Sequence, residues 1–393
     1  MTTSDLSLRT AARLTARSVA IEGATELLDW YTADGCAWLD RDHGFVTSGC
    51  AALVAPDDAA PFLAAIDHST DARRVSASAG PRAVGALPFS GTGDLVVPAR
   101  IVGRDPGGRV WRTDIVGSQP GAAMTIVRDS LPSEYRVTTA TTRDQWRAMV
   151  ESALADIGPG PLQKVVLARA VRIDADQPFD VAGVLAFLRR SQPGCIVYGD
   201  RGFVGASPEL LVRKTGPSVV SRPLAGTGID TAALVRSAKD GHEHRLVVDA
   251  VVRALGTLCC DVGTVGPSAL ELADVSHLAT TMTAQIEAAS TSIADLVAVL
   301  HPTPAVGGTP RDLALAAIDA LEATPRGRYA GPCGWIDRNG DGEFVVALRG
   351  GVIDGTHAVI HAGAGIVPGS DPDAEWTETQ QKLTPMLQAL VRP

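Results

Sequence analysis

His361-Ala-Gly-Ala-Gly-Ile-Val-Pro-Gly-Ser-Asp-Pro-Asp-Ala-Glu-Trp-Thr-Glu-Thr-Gln-Gln-Lys-Leu383 is the stretch on which the reading of this chain turns. A glycine-dense strand end runs into a helix opened by proline, a residue suited to the first helical turn. Glu375, Glu378 and Lys382 stand at i, i+3 and i+7 of that helix and project from one face. Trp376, Leu383, Leu387 and Leu390 mark the opposite stripe, expected to be buried. Two carboxylates and an ammonium lie behind backbone N–H groups that a helix start leaves free. Together they can hold a divalent cation and an anionic substrate.

Outward from this stretch, periodicity predicts the remaining elements. Short strands separated by Gly, Pro and Asp turns are expected before residue 135, at 51–54, 95–102 and 123–127. Helical spacing follows at 143–156, a strand at 164–173 and a helix at 181–190. A meander is read at 195–198, 202–206, 210–214 and 219–222, through turns at Gly199-Asp200-Arg201 and Thr215-Gly216-Pro217. One long helix is predicted over 231–258, with others at 292–300 and 312–323. Strands at 344–348, 351–353 and 357–363 lead to the final helix. Strand clusters alternating with segregated helices predict an α+β fold with antiparallel sheets. Residues 1–135 are read as an N-terminal part and 136–393 as the catalytic region of one compact unit.

The 393 residues carry a net charge of −9 and no basic block, which argues against nucleic acid or an anionic membrane as partner. An anionic substrate then needs local Lys, Arg or metal charge. No apolar run is long enough for a membrane helix, and the first residues lack the apolar core of a secretory signal. The chain is therefore expected in the cytoplasm. Its cysteines, at 36, 50, 195, 259, 260 and 333, form no C-x-x-C pair and are read as reduced, buried thiols.

Three motifs fail on inspection. Asp337-Arg-Asn-Gly-Asp-Gly342 begins like a calcium loop but has Leu348 where a bidentate Glu is needed, so a hairpin turn is predicted. Gly363-Ala-Gly365 lacks the third glycine of a dinucleotide fingerprint. His242-Glu-His244 lacks the i, i+4 spacing that lets two helical histidines share one zinc.

Lys164 on a strand, Glu243 on a helix and Glu378 near a helix start each have an ordinary structural explanation. Glu209, opening an apolar strand after Pro208, is less ordinary. Their motifs acquire meaning together. Lys164-Val-Val-Leu-Ala-Arg169, Gly205-Ala-Ser-Pro-Glu209, Arg222-Pro-Leu-Ala-Gly-Thr227, His242-Glu-His244 and Ser276-His-Leu278 occur in that order. His301-Pro-Thr-Pro-Ala-Val-Gly-Gly308, Arg326-Gly-Arg-Tyr-Ala-Gly331 and the 362–382 stretch complete the set. This series resembles the chorismate-utilising enzymes, the family of isochorismate, salicylate, anthranilate and aminodeoxychorismate synthases. The likeness covers the C-terminal two-thirds. Before it only Gly85-Ala-Leu-Pro-Phe89 is similar.

The resemblance implies two large, mostly antiparallel sheets packed together and flanked by helices. It implies Mg2+ held by Glu243 and Glu378, with Glu375 just behind them. It makes Lys164 the base that activates water and Glu209 the acid on the leaving hydroxyl. Lys164 must then offer a free amine, and Glu209 must be protonated near neutral pH. Arg349 and Tyr329 are implied to hold the enolpyruvyl carboxylate. Lys382 and the N–H groups of Ala364 and Gly365 would hold carboxylate oxygens at the helix start, Gly226 and Thr227 would line the pocket, and His277 would lie near the ring.

Family members differ in nucleophile and product. Lys164 stands where anthranilate synthases carry glutamine, and Ala225 where aminodeoxychorismate synthases carry a nucleophilic lysine. Ala305 stands where salicylate synthases place threonine. The resemblance therefore implies an isochorismate synthase: reversible, magnesium-dependent exchange of the chorismate C4 hydroxyl for one at C2. Such a product would serve siderophore, salicylate or menaquinone synthesis, from a monomer needing no glutaminase subunit. A salicylate synthase, which also eliminates pyruvate, is the nearest alternative. A non-catalytic chorismate-binding relative and an amination subunit are the others.

Overall fold

The computed structural model describes residues 14–23, 26–71, 75–117, 131–158, 160–273 and 275–391. The expected strand at 123–127 lies outside them. Among the described residues the chain forms a thirteen-stranded and a ten-stranded sheet. Pairing is antiparallel except between Thr15–Ile21 and Asp67–Thr70. Both sheets draw on both ends of the sequence. Cys36–Asp40 pairs with Ile196–Asp200 in the larger sheet, and Arg82–Ala86 pairs with Pro332–Asp337 in the smaller. Trp38, Phe45 and Tyr198 of the larger sheet share an aromatic cluster with Val84, Cys333 and Val345 of the smaller.

Most of the helices begin where a side chain satisfies their free N–H groups. Thr142 and Gln145 make a reciprocal capping box at the start of Arg143–Ile157. Ser292 and Asp295 repeat it before Ile293–Leu300. Asp371 accepts from the N–H groups of Asp373 and Ala374 at 3.1 and 2.8 Å, and so starts Pro372–Leu390. On that last helix Leu383 and Leu390 are buried, while Trp376 and Leu387 are only half-buried. Glu375 and Thr379 are buried too, so the buried stripe is wider than its apolar residues indicate.

Four expectations need correction. The predicted helix over 231–258 is two helices, Thr231–Arg236 and Ala238–Leu255. Ser237 between them takes an extended conformation and accepts from Asp240 N–H at 3.2 Å, starting a new helix rather than continuing the old. The predicted 95–102 strand splits around Pro98 into Leu95–Val97 in the smaller sheet and Arg100–Arg104 in the larger. The meander is likewise divided: Ile196–Asp200 and Phe203–Ser207 belong to the larger sheet, Leu210–Thr215 and Ser218–Arg222 to the smaller. Of the cysteines, Cys50 and Cys260 are exposed, and all six thiols are free. The Asp337–Asp341 segment does turn between antiparallel strands, as predicted.

The division of the meander positions the site. Pro208 has no N–H to give a ladder, and there the chain leaves one sheet for the other. A second crossing runs beside it, from Gly342–Val346 to Gly350–Asp354 through Arg349, which sits at φ +48°. The two crossings are bonded together. Ser207 Oγ donates to Val346 O, Val346 N–H to Glu209 O at 3.1 Å, and Ala206 N–H to Arg349 O at 3.2 Å. Tyr198 Oη donates to Leu348 O at 2.9 Å, and a Cβ on Gly205 or Gly350 would collide with that phenol oxygen. Glu209 and Arg349 are thereby fixed side by side where the sheets part.

Candidate active site

A cleft partly open to solvent lies at this junction. Its lining includes Glu209, Gly226, Thr227, Glu243, His277, Ala305, Tyr329, Arg349, Gly365, Glu378 and Lys382. Segments far apart in sequence thus meet as expected.

Lys164 opens the strand Lys164–Ala175 of the larger sheet and has no exposed side-chain surface. Its Nζ lies 2.9 Å from Glu243 Oε1 in an ion pair, off the angle of a hydrogen bond. The sequence reading requires a free amine here. The structure instead shows the partner an ammonium takes, because Glu243 reaches it across the Gly365 backbone. A Cβ on Gly365 would strike the Glu243 carboxylate and press on Lys164 Cε, so any larger residue there would have to displace the Glu243 side chain. Burial pushes the Glu243 carboxyl up, but Lys164, Lys382 and Lys239 outweigh burial and hold it below the usual range.

Glu209 is 2 % exposed, and burial drives its carboxyl up to about 8, against the opposing pull of Leu224 N–H, Lys164 and Lys382. It is therefore a protonated acid at neutral pH, as the sequence reading requires.

Arg349 is buried, and no carboxylate among the described residues pairs with it. Its Nη1 donates to Gln192 Oε1 at 3.1 Å and its Nη2 to His277 Nε2 at 3.1 Å. A guanidinium cannot accept, so His277 Nε2 must, which leaves the His277 proton on Nδ1. That Nδ1–H then faces Gly226 O and Thr227 Oγ1, each at 3.2 Å. Burial and the Arg349 charge depress His277 to about 3, so the ring is neutral. Gly226, at φ +76°, makes the bulge that aims its carbonyl at this ring. Arg349 is thus a buried cation whose neutral supports leave its charge for an anion.

On the C-terminal helix, Lys382 Nζ donates to Glu378 Oε1 at 2.6 Å and to Gly363 O at 3.1 Å. Burial opposes its charge, but Glu378 outweighs burial and keeps it cationic. Glu375 does not line the cleft. It is 2 % exposed and pairs with Lys239 Nζ at 2.6 Å.

Ala364 and Gly365 lie inside the strand His357–Ile366, before the helix start, with the Ala364 side chain in the apolar core. Strand alternation turns Gly363 and Gly365 toward the cleft instead. His361, first in the opening stretch, was not read as a site residue. It nevertheless lines the cleft, stacks on Tyr329 at 5.2 Å between centroids, and has a buried Nε2 without a partner. Its only sequence signal is that it stands an even number of positions before the two cleft-facing glycines.

Among the described residues no group of three His, Cys, Asp or Glu side chains forms a cage for a metal. Magnesium does not need one, since it binds through one or two carboxylates and keeps waters and substrate oxygens. Glu243 and Glu378, lining one cleft with the Gly365 cradle between Glu243 and the strand, fit that demand.

The cleft gathers acidic and basic side chains at one place in an α+β fold. The profile of the family described as "Chorismate binding enzyme" matches residues 122–391, and the chain belongs to that family. It is 34% identical over 334 residues to the isochorismate synthase DhbC of Bacillus subtilis, covering 79% of this chain and 81% of that protein. It is 31% identical over 374 residues to the isochorismate synthase EntC of Escherichia coli, covering 88% and 92%. Among solved structures, the menaquinone-specific isochorismate synthase MenF of Escherichia coli superimposes with a TM-score of 0.83 at 26% identity, over 98% of this chain and all of that one.

Proposed function

We propose that this chain is an isochorismate synthase that converts chorismate and water reversibly to isochorismate and water. The observation that carries the reading is Glu209, a buried, protonated carboxyl sharing one cleft with Glu243 and with the buried Lys164 beside it. Acid and base chemistry at a single substrate needs two such groups in opposite roles. The relatives' printed activities agree with this reading.

Glu243 and Glu378 are the residues that would hold Mg2+. The bound ion would fix the substrate carboxylate and draw charge from the ring as the hydroxyl leaves. Arg349, whose charge no carboxylate among the described residues engages, takes the enolpyruvyl carboxylate together with Tyr329 of the same cleft, and Lys382 anchors carboxylate oxygens from the helix. Lys164, beside Glu243 at 2.9 Å, is the base: once its own proton has passed to solvent, its amine would take a proton from the attacking water. The water oxygen forms the new bond at C2, the ring double bonds shift, and the C4–O bond breaks. Glu209 gives its proton to the departing oxygen, which leaves as water.

Ala305 and Ala225 line the cleft with methyl groups. Neither side chain can assist elimination of the enolpyruvyl group or attack the ring, which favours release of isochorismate over salicylate or an aminated product. No helix among the described residues is long and apolar enough to cross a membrane. We take the enzyme to act as a monomer in the cytoplasm, without a glutaminase.

Incubation with chorismate tests the reading. Isochorismate is expected to form with Mg2+, to cease in EDTA and to return when Mg2+ is restored. Turnover undiminished by EDTA would contradict it.

A further inference from the structure

Three lysine–glutamate pairs meet around the proposed cation position. Lys164 pairs with Glu243 at 2.9 Å, Lys382 with Glu378 at 2.6 Å, and Lys239 with Glu375 at 2.6 Å. The first two lysines have tasks in the reaction. The third has none so far. Lys239 stands outside the cleft lining, 37% exposed, while its partner Glu375 is only 2% exposed. A buried carboxylate held by a surface lysine is an arrangement the chemistry of the cleft leaves unexplained.

Its placement supplies the explanation. Lys239 is four residues before Glu243 on Ala238–Leu255, and Glu375 three before Glu378 on Pro372–Leu390. On helices those spacings put each pair on one face. The Lys239–Glu375 contact therefore joins the two helices one turn ahead of the two proposed cation ligands. Burial, and after it the nearby Glu378 charge, raises the Glu375 carboxyl, and Lys239 feels Glu243 and Glu378 as well as its partner. Glu375 is thus a third carboxylate beside the cation site, and its charge is already engaged.

We propose that Lys239 holds Glu375 out of the cation's coordination shell and so limits the site to two carboxylate ligands. The inference rests on the reading of Glu243 and Glu378 as those ligands. The benefit lies in charge and in open positions. Two carboxylates neutralise a divalent cation and leave sites for substrate oxygens and water. A third would bind the cation more tightly but fill a site and leave a net negative charge, which repels a dicarboxylate substrate.

Mn2+ binding to the full chain without chorismate, followed by the EPR signal of free Mn2+, tests this. Lys239→Met frees Glu375 and removes a positive charge, so Mn2+ should bind about ten-fold tighter, while the KM for chorismate rises. Lys239→Met with Glu375→Gln removes the freed carboxylate and should return Mn2+ affinity to near that of the wild type. Unchanged or weaker binding in Lys239→Met overturns the inference, as does tight binding that survives in the double variant. Glu378→Gln separates the two levels. If wild-type binding depends on Glu378 but ignores Lys239, only the role of Lys239 fails. If it ignores Glu378, the cation reading fails and this inference with it.

Discussion

Lys164→Ala lowers turnover of chorismate by about 10³-fold, the middle of the range for removing a positioned general base. Nothing nearby can replace the amine. Lys382 is committed to Glu378 and Gly363 O, and Lys239 to Glu375. The substitution also leaves Glu243 without its 2.9 Å partner. Breaking a buried ion pair costs about 3–5 kcal/mol at most, and the loss here is smaller because Lys382 and Lys239 still bear on Glu243. Thermal unfolding should show a folded, somewhat less stable protein. Mn2+ should still bind it, since both proposed carboxylate ligands remain. A folded variant retaining more than a tenth of wild-type turnover would remove Lys164 from the base role.

Glu209→Gln should cost about 10²–10⁴-fold in turnover while hardly disturbing the fold. Glutamine has nearly the shape of the protonated acid but no proton to give. The pH dependence follows from the raised carboxyl. Glu209 is protonated in the folded protein below about 8, so wild-type activity should fall as pH rises through that value. The stability sign is the same. A raised folded-state pKa means that the group's contribution is fully present below its ordinary value near 4.5 and is lost as pH rises through about 8. Glu209→Gln should therefore unfold at a temperature less sensitive to pH between about 4.5 and 8 than the wild type does. A variant that keeps both the wild-type alkaline limb in activity and that slope in stability would assign them to another group.

What the sequence shows and what it hides divide along a physical line. Helix starts are local chemistry, so Thr142, Ser292 and Asp371 mark their helices plainly. Ser237 marks one equally well, but apolar periodicity running through 231–258 conceals it. The alternating strands around Pro208 and Arg349 are visible. The sheet that each strand joins is set by pairing partners more than a hundred residues away, and no local pattern carries that. The strands Cys259–Glu271 and Ser276–Ile286 went unread altogether. The first is mostly exposed and interrupted by Gly263, Gly266 and Pro267, which erases the two-residue alternation.

The site divides in the same way. Motif likeness brings together Lys164, Glu209, Glu243, Glu378 and Arg349, whose convergence needs long-range pairing. It does not show which way each side chain of that strand faces, because cleft or core depends on a one-residue phase within a strand. The lysine partners of the three glutamates were also hidden. Each ion pair but Lys382–Glu378 crosses between distant segments, and sequence spacing cannot show it.

Conversion of chorismate in 18O-labelled water, with Mg2+ present, tests the central claim most directly. Isochorismate carrying one solvent oxygen at C2 is expected, with no pyruvate released. Unlabelled isochorismate would contradict water attack, and salicylate with pyruvate as the accumulating products would make this chain a salicylate synthase.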